Sequence, residues 1–317
     1  MVYVCNSLLS FINKKMIKYE FYSNITLTKT SFNINLNQIY TQKCSDFMAE
    51  LASNSIEVDI IVTSPPYNIG KNYGTYYNDN KPRDEYLDFI DEVGQMIKII
   101  LKDNGSLFLN VGNKPSDQWI AIDVANIMRK YYVLQNTIIW NKSISIEKSY
   151  IVKNVTDIDI SIPDVISIGH YQPVNGHKYL NNCFEEVYHF THSGNVKLNR
   201  LAKDFAVPYQ DKSNIGRYSD QDKRDRGNSW FIPYKTIQNK DERSHPAVFP
   251  VNLPSYCIKL HGYNENTIVY DPFMGIGTTA LACIDLGVNY LGTEINKEYI
   301  KIAESAINKK KKIDYIE

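Results

Sequence analysis

Apolar and polar positions follow two different periods along this chain, and their order predicts its elements. After a short mixed stretch from Asn37, a helix is expected to open at Ser45. Val58–Thr63 is an apolar run of strand length that ends abruptly at Ser64-Pro65-Pro66-Tyr67, as a buried strand stopped by two residues without N–H donors would. Across 83–101, Tyr86, Phe89, Ile90, Val93, Ile97, Ile100 and Leu101 recur every three or four positions and lay one apolar stripe on a helix. Asp103-Asn104-Gly105 is expected to stop that helix. A strand over 106–111, a helix over 117–131 and a strand over 134–140 follow.

The rhythm is lost after Trp140 and returns near Pro250. A strand is then expected over 267–273, a helix over Thr278–Leu286, a strand over Asn289–Thr293 and a helix over 297–308. Strands alternating with helices predict an α/β fold with a mostly parallel sheet. Four regions result: 1–36, an arm of weak periodicity; 37–142, a first α/β half; 143–244, an insert; and 245–317, a second α/β half.

Composition narrows the class. The 317 residues are 43% hydrophobic and 22% charged, as in a folded water-soluble chain. No apolar run approaches the length of a membrane span, and the N-terminus lacks the pattern of a secretory signal. Five scattered cysteines (Cys5, Cys44, Cys183, Cys257, Cys283) suit a reducing compartment, so a cytoplasmic protein is expected. Cys183, His189 and His192 make no complete metal set, and no metal is expected. Thirty-five basic and 35 acidic residues balance. Residues 196–240 nevertheless hold ten Lys and Arg against five Asp, with Tyr209, Tyr218, Trp230 and Tyr234 interleaved. That mixture reads as a surface for nucleic acid or as a solvated loop of mixed charge.

Two constellations carry chemistry. In Asp271-Pro272-Phe273-Met274-Gly275-Ile276-Gly277-Thr278-Thr279-Ala280, Gly275, Gly277 and Ala280 match G-x-G-x-x-A between a strand and a helix. Such glycines let the backbone turn tightly beside a ligand at a helix N-terminus. Glu294 ends the next strand, where it can accept hydrogen bonds from ribose hydroxyls. No lysine follows Gly277, which excludes a phosphate-loop NTPase. The second constellation, Ser64-Pro65-Pro66-Tyr67, sits at the carboxyl end of a strand. Its prolines can aim carbonyls outward as acceptors for an amino group, and Tyr67 offers a stacking face. Packing alone would also account for either motif taken singly.

Together these residues resemble the amino-methylating DNA methyltransferases of the β-group, of restriction-modification type. Thr63 to Tyr67 resembles that family's catalytic motif, and Asp271 to Gly277 its cofactor motif. Their order along the chain matches the permuted group. Similarity extends to 106–112, to Ile138-Ile139-Trp140-Asn141-Lys142 and to His245-Pro246-Ala247-Val248-Phe249-Pro250. The resemblance implies a Rossmann-like S-adenosylmethionine-dependent fold, with catalytic residues in 37–142, target recognition in 143–244 and cofactor binding in 245–317. It implies Ser64, Pro65, Pro66 and Tyr67 as catalytic residues, and Phe249, Asp271, Phe273, Gly275, Gly277, Thr278 and Glu294 around S-adenosylmethionine. Double-stranded DNA would be the partner, touched by Arg217, Arg224 and Arg226. A cognate restriction endonuclease is a further expected partner, and the protein would be a monomer or homodimer. Ser64, in place of an aspartate, points to N4 of a flipped cytosine, with N6 of adenine as the alternative. A nicotinamide oxidoreductase would share the glycine motif but leave Ser64 to Tyr67 unexplained. A catalytically silent DNA-binding protein would have no use for either intact motif.

Overall fold

The computed structural model describes residues 33–152, 163–169, 174, 176–208, 223–233 and 248–314. Its first half runs β1 (Gln38–Tyr40), α1 (Cys44–Ser53), β2 (Val58–Thr63), α2 (Arg83–Ile100), β3 (Leu101–Val111), α3 (Ile120–Met128) and β4 (Val133–Asn141). The middle holds β5 (Ser143–Glu147), α4 (Lys148–Val152), β6 (Val165–Gly169), β7 (Phe184–Thr191), β8 (Val207–Pro208), β9 (Lys223–Arg224) and β10 (Ser229–Phe231). Then come α5 (Asn252–His261), β11 (Ile268–Asp271), α6 (Thr278–Leu286), β12 (Asn289–Thr293) and α7 (Lys297–Asp314).

Among the described residues the main sheet has the order β1-β12-β11-β2-β3-β7-β4-β10. Its pairings are parallel except those of β7, which runs antiparallel to both β3 and β4. β2 shows why the strands read as unbroken apolar runs. Ile61 packs with Phe47, Leu51, Ile90 and Ile97 on one face, while Ile60 and Val62 pack with Trp140, Phe205, Trp230 and Leu253 on the other. Successive side chains point to opposite faces, and both faces are covered by helices or loops.

From β2 the chain crosses through α2 to β3 on one side, and from β11 it crosses through α6 to β12 on the other. The strand order therefore reverses between β2 and β11. The carboxyl ends of two such strands border the crevice in which open α/β sheets bind ligands.

Several expectations are corrected. Residues 143–244 are not segregated from the α/β sheet, because β7 fills the gap between β3 and β4, and β10 pairs with β4 at the edge. Asp103-Asn104-Gly105 does not separate α2 from the next strand but lies inside β3, where the register against β2 shifts between Val58 and Ile60. A Cβ on Gly105 would come within 2.9 Å of the Asp59 carbonyl, so this bulge favours glycine. α1 begins at Cys44 with Lys43 at its N-cap, and Ser45 lies in the first turn. α3 is shorter than 117–131: Asp117 lies before it and pairs with Arg83, which also meets Asp123 within the helix at 3.2 Å. No helix among the described residues is long and apolar enough to cross a membrane.

Candidate active site

At the reversal point the ends of β2 and β11 are bonded to each other. Thr63 Oγ1 donates to Asp271 Oδ1 at 2.7 Å, and Asp271 also accepts from Thr279 Oγ1 at 2.6 Å and from the Phe273 amide at 3.0 Å. Burial raises its carboxyl to about 6, against the lowering effect of those three bonds.

From this lock the glycine turn departs. Gly275 and Gly277 have φ of 54° and 87°, in the left-handed region that favours glycine. The Met274 amide bonds to the Thr293 carbonyl, and Thr293 Oγ1 bonds to the Pro272 carbonyl, so the turn is stapled to β12. At the end of β12, Glu294 accepts from the Gly275 amide at 2.9 Å and from the Asn296 amide at 2.8 Å. Burial raises its pKa, and each carboxylate oxygen keeps acceptor capacity beyond those bonds. α6 starts at Thr278 with no side-chain cap over its first amides.

Facing this turn, the residues after β2 enter a polar network. The Ser64 and Tyr67 hydroxyl oxygens are 2.5 Å apart, and Tyr67 Oη lies 3.0 Å from Glu185 Oε2. Asn110 Nδ2 reaches Tyr67 Oη at 2.6 Å and Glu185 Oε2 at 2.7 Å. Lys142 Nζ closes the chain on Glu185 Oε1 at 2.9 Å. The Tyr67 ring packs against Gly112, where a Cβ would approach it to 2.8 Å.

The segment after Tyr67 folds back as a strap. Asp79, only 2% exposed, accepts from the amides of Asn68, Ile69 and Lys71, while Asn68 exchanges bonds with the backbone of Lys81. The strap carries Tyr73, Tyr76 and Tyr77 onto a cavity of about 380 Å³. Its other walls include Ser64, Pro65, Pro66 and Tyr67 on one side and Phe249, Phe273, Gly275, Thr278 and Glu294 on the other.

All four residues expected to be catalytic thus share one cavity with most of those expected at the cofactor. Two of the latter are placed otherwise. Asp271 is buried behind the wall with both oxygens taken, and Gly277 packs against α7, where a Cβ would meet Ala303 Cβ at 2.9 Å. Of the expected DNA contacts, Arg217 lies outside the described residues, as do Tyr209, Tyr218 and Tyr234. Arg224 is exposed. Arg226 is instead a packing residue: Nε bonds to the Phe205 carbonyl at 2.8 Å and the guanidinium lies 4.5 Å from the Tyr256 ring centre. Trp230 is likewise no stacking surface, since it is buried against Phe205 and Tyr256. His189 stacks on Phe108 and bonds to Ser106 and Asn136. Asp79, Asn110, Lys142 and Glu185 had no role assigned from sequence; Asn110 and Lys142 lie in segments already noted as similar, whereas Asp79 and Glu185 carry no local signal.

The sequence model of the DNA methylase family whose members act at N6 or N4 matches residues 58–305. The chain belongs to this family. Its members depend on S-adenosylmethionine, and the chain is accordingly an S-adenosylmethionine-dependent DNA amino-methyltransferase. It is 26% identical over 285 residues to the type II methyltransferase M.BglII of Bacillus subtilis, covering 85% of this chain and 68% of that one. It is 28% identical over 272 residues to the DNA adenine methyltransferase YhdJ of Escherichia coli K12, covering 84% and 82%. Among solved structures, the cytosine-N4-specific PvuII DNA methyltransferase matches with a TM-score of 0.55 at 16% identity, over 84% of each chain. This likeness shows the shared methyltransferase fold.

Proposed function

We propose that the enzyme methylates the N4 amino group of a cytosine flipped out of a specific duplex sequence. The observation that carries this reading is the single cavity shared by Ser64 to Tyr67 and by the glycine turn with Glu294. S-adenosylmethionine, when bound, supplies a methyl group on a positively charged sulfur. Phe249 and Phe273 provide apolar faces for its adenine, and Glu294 accepts from its ribose hydroxyls. Gly275 allows close backbone approach, and the uncapped amides at Thr278 suit its carboxylate.

An exocyclic amine is a poor nucleophile because its lone pair is delocalised into the ring. Ser64 Oγ and the Pro65 carbonyl accept its two hydrogens and hold the nitrogen in line, while Tyr67 stacks on the base. This is positioning and electrostatics, without a covalent enzyme intermediate. The base must leave the duplex to reach such a pocket. The neutral Ser64 hydroxyl, where a carboxylate would draw the amino protons more strongly, favours cytosine. The likeness to YhdJ supports the second reading, N6 of adenine.

The parts of 143–244 outside the main sheet would read the target sequence, with Arg224 on a phosphate. On this reading the enzyme works in the cytoplasm, as a monomer or homodimer, beside a restriction endonuclease that shares its site. Methyl-labelled S-adenosylmethionine and unmethylated genomic DNA test the base assignment. N4-methylcytosine in the nucleoside digest is the expected product, and N6-methyladenine alone would overturn it.

A further inference from the structure

We infer that Glu185, held by Lys142, is a positioning residue that receives the proton released in the reaction, through the hydroxyls of Tyr67 and Ser64. The inference rests on the proposed role of Ser64 as acceptor for the amino group. Methyl transfer joins the amino nitrogen's lone pair to the methyl carbon, and the carbon–sulfur bond breaks with its pair left on sulfur. The nitrogen, now positive, must lose one proton.

The network dictates where that proton can go. Glu185 Oε2 is a carboxylate oxygen and can only accept, so the Asn110 atom 2.7 Å away is the amide nitrogen, which also donates to Tyr67 Oη at 2.6 Å. Tyr67 has one proton, and its bond to Glu185 Oε2 at 3.0 Å uses it. The 2.5 Å contact between Ser64 and Tyr67 is therefore donated by Ser64. With its proton committed to Tyr67 and one long contact of 3.4 Å from Asn110 Nδ2, Ser64 Oγ keeps a lone pair for the cavity. When Ser64 takes a proton from the nitrogen it passes its own to Tyr67, which passes its own to Glu185. One N–H bond is lost, one carboxyl O–H bond is gained, and both hydroxyls end as they began.

Lys142 Nζ lies 2.9 Å from Glu185 Oε1, with the two side chains 15% and 12% exposed, and fixes the carboxylate in place through a charge-assisted hydrogen bond. Among the described residues the ionisable groups facing Glu185 are Lys142 from β4, Tyr67 from the segment after β2 and the adjacent Glu186, whose carboxylate is bonded by Asn113 Nδ2 at 3.2 Å.

The test compares the full-length wild type with Glu185→Gln and Lys142→Met in single-turnover methylation of unmethylated genomic DNA across pH. Glu185→Gln retains an acceptor for Tyr67 but not a base. Its rate should fall about 100-fold or more, with S-adenosylmethionine affinity by calorimetry within twofold of wild type. The acid limb of the wild-type profile should vanish. In Lys142→Met that limb should move to higher pH, together with the Glu185 carboxyl titration followed by carbon-13 NMR and assigned by its loss in Glu185→Gln. A wild-type rate in Glu185→Gln, or an acid limb that persists there, would overturn the inference and leave the reading of Ser64 standing. A rate loss matched by lost cofactor affinity would reduce Glu185 to a packing role. A Ser64→Ala variant as fast as wild type would overturn both.

Discussion

Thr63 and Asp271 are 208 residues apart in sequence and joined by a 2.7 Å hydrogen bond, which ties the end of the strand leading to Ser64 to the strand leading to the glycine turn. Neither residue needs to touch a ligand for this bond to matter. It sets the distance between the residues proposed to hold the base and those proposed to hold the methyl donor, and methyl transfer demands that distance within fractions of an ångström.

The lock has a measurable pH signature. Asp271 titrates at about 6 in the fold against an ordinary 3.8, so the folded state holds the proton more tightly than the unfolded chain. Its ionisation therefore costs stability as pH rises between those two values, by about 3 kcal/mol. Asp271→Asn does not titrate. Lowering pH from 7 to 4.5 should raise the Tm of the wild type relative to this variant. A Tm difference constant across that range would show that Asp271 is not perturbed.

The two glycines of the turn should fail in different ways. Gly275 lines the cavity at φ 54°, so Gly275→Val places a branched side chain on the wall where the cofactor is proposed to bind. Cofactor affinity by calorimetry should fall at least about tenfold. Gly277→Val drives its Cβ into Ala303 and loosens α7, costing about 1–3 kcal/mol. That variant should lose Tm. The opposite pattern, with Gly277 controlling affinity and Gly275 stability, would reverse the assignments.

Where an apolar segment has sharp ends in sequence, the sequence reads true: β2, α6 and β12 begin and end where their patterns do. The strand β7 shows why the rest is hidden. Glu185 and Glu186 stand side by side at its start and His189 faces the interior, so the apolar pattern is broken by polar residues whose partners are distant. Tyr67 lies 118 residues from Glu185, and Ser106 lies 83 from His189. Nothing local announces such pairs. Arg226 misled for a related reason, since a basic residue looks the same in sequence whether it meets phosphate or covers the face of Tyr256.

Asp79 should govern the strap. Asp79→Ala leaves the amides of Asn68, Ile69 and Lys71 without their acceptor, each worth about 1–3 kcal/mol where water is excluded. Cleavage within 68–82 by limited proteolysis should accelerate. Cofactor affinity should drop with it, because Tyr73, Tyr76 and Tyr77 line the cavity. Faster cleavage with unchanged affinity would show that the strap contributes nothing to binding.

Arg224 and Arg226 separate a proposed nucleic-acid contact from a packing contact two residues away. Arg224 is exposed, with Nη1 3.2 Å from the Asp225 carbonyl. Arg224→Glu should leave Tm unchanged, weaken DNA binding and make the salt dependence of log K shallower by about 0.9 for the phosphate no longer neutralised. Arg226→Glu removes the bond to the Phe205 carbonyl and sets a carboxylate over Tyr256. Repulsion from the ring face, added to the lost bond, should lower Tm by several degrees. Binding by the fraction that stays folded should keep the wild-type salt slope. An Arg226→Glu protein of unaltered Tm with a shallower slope would make this guanidinium a phosphate ligand. An unaltered slope in Arg224→Glu would remove Arg224 from the DNA surface.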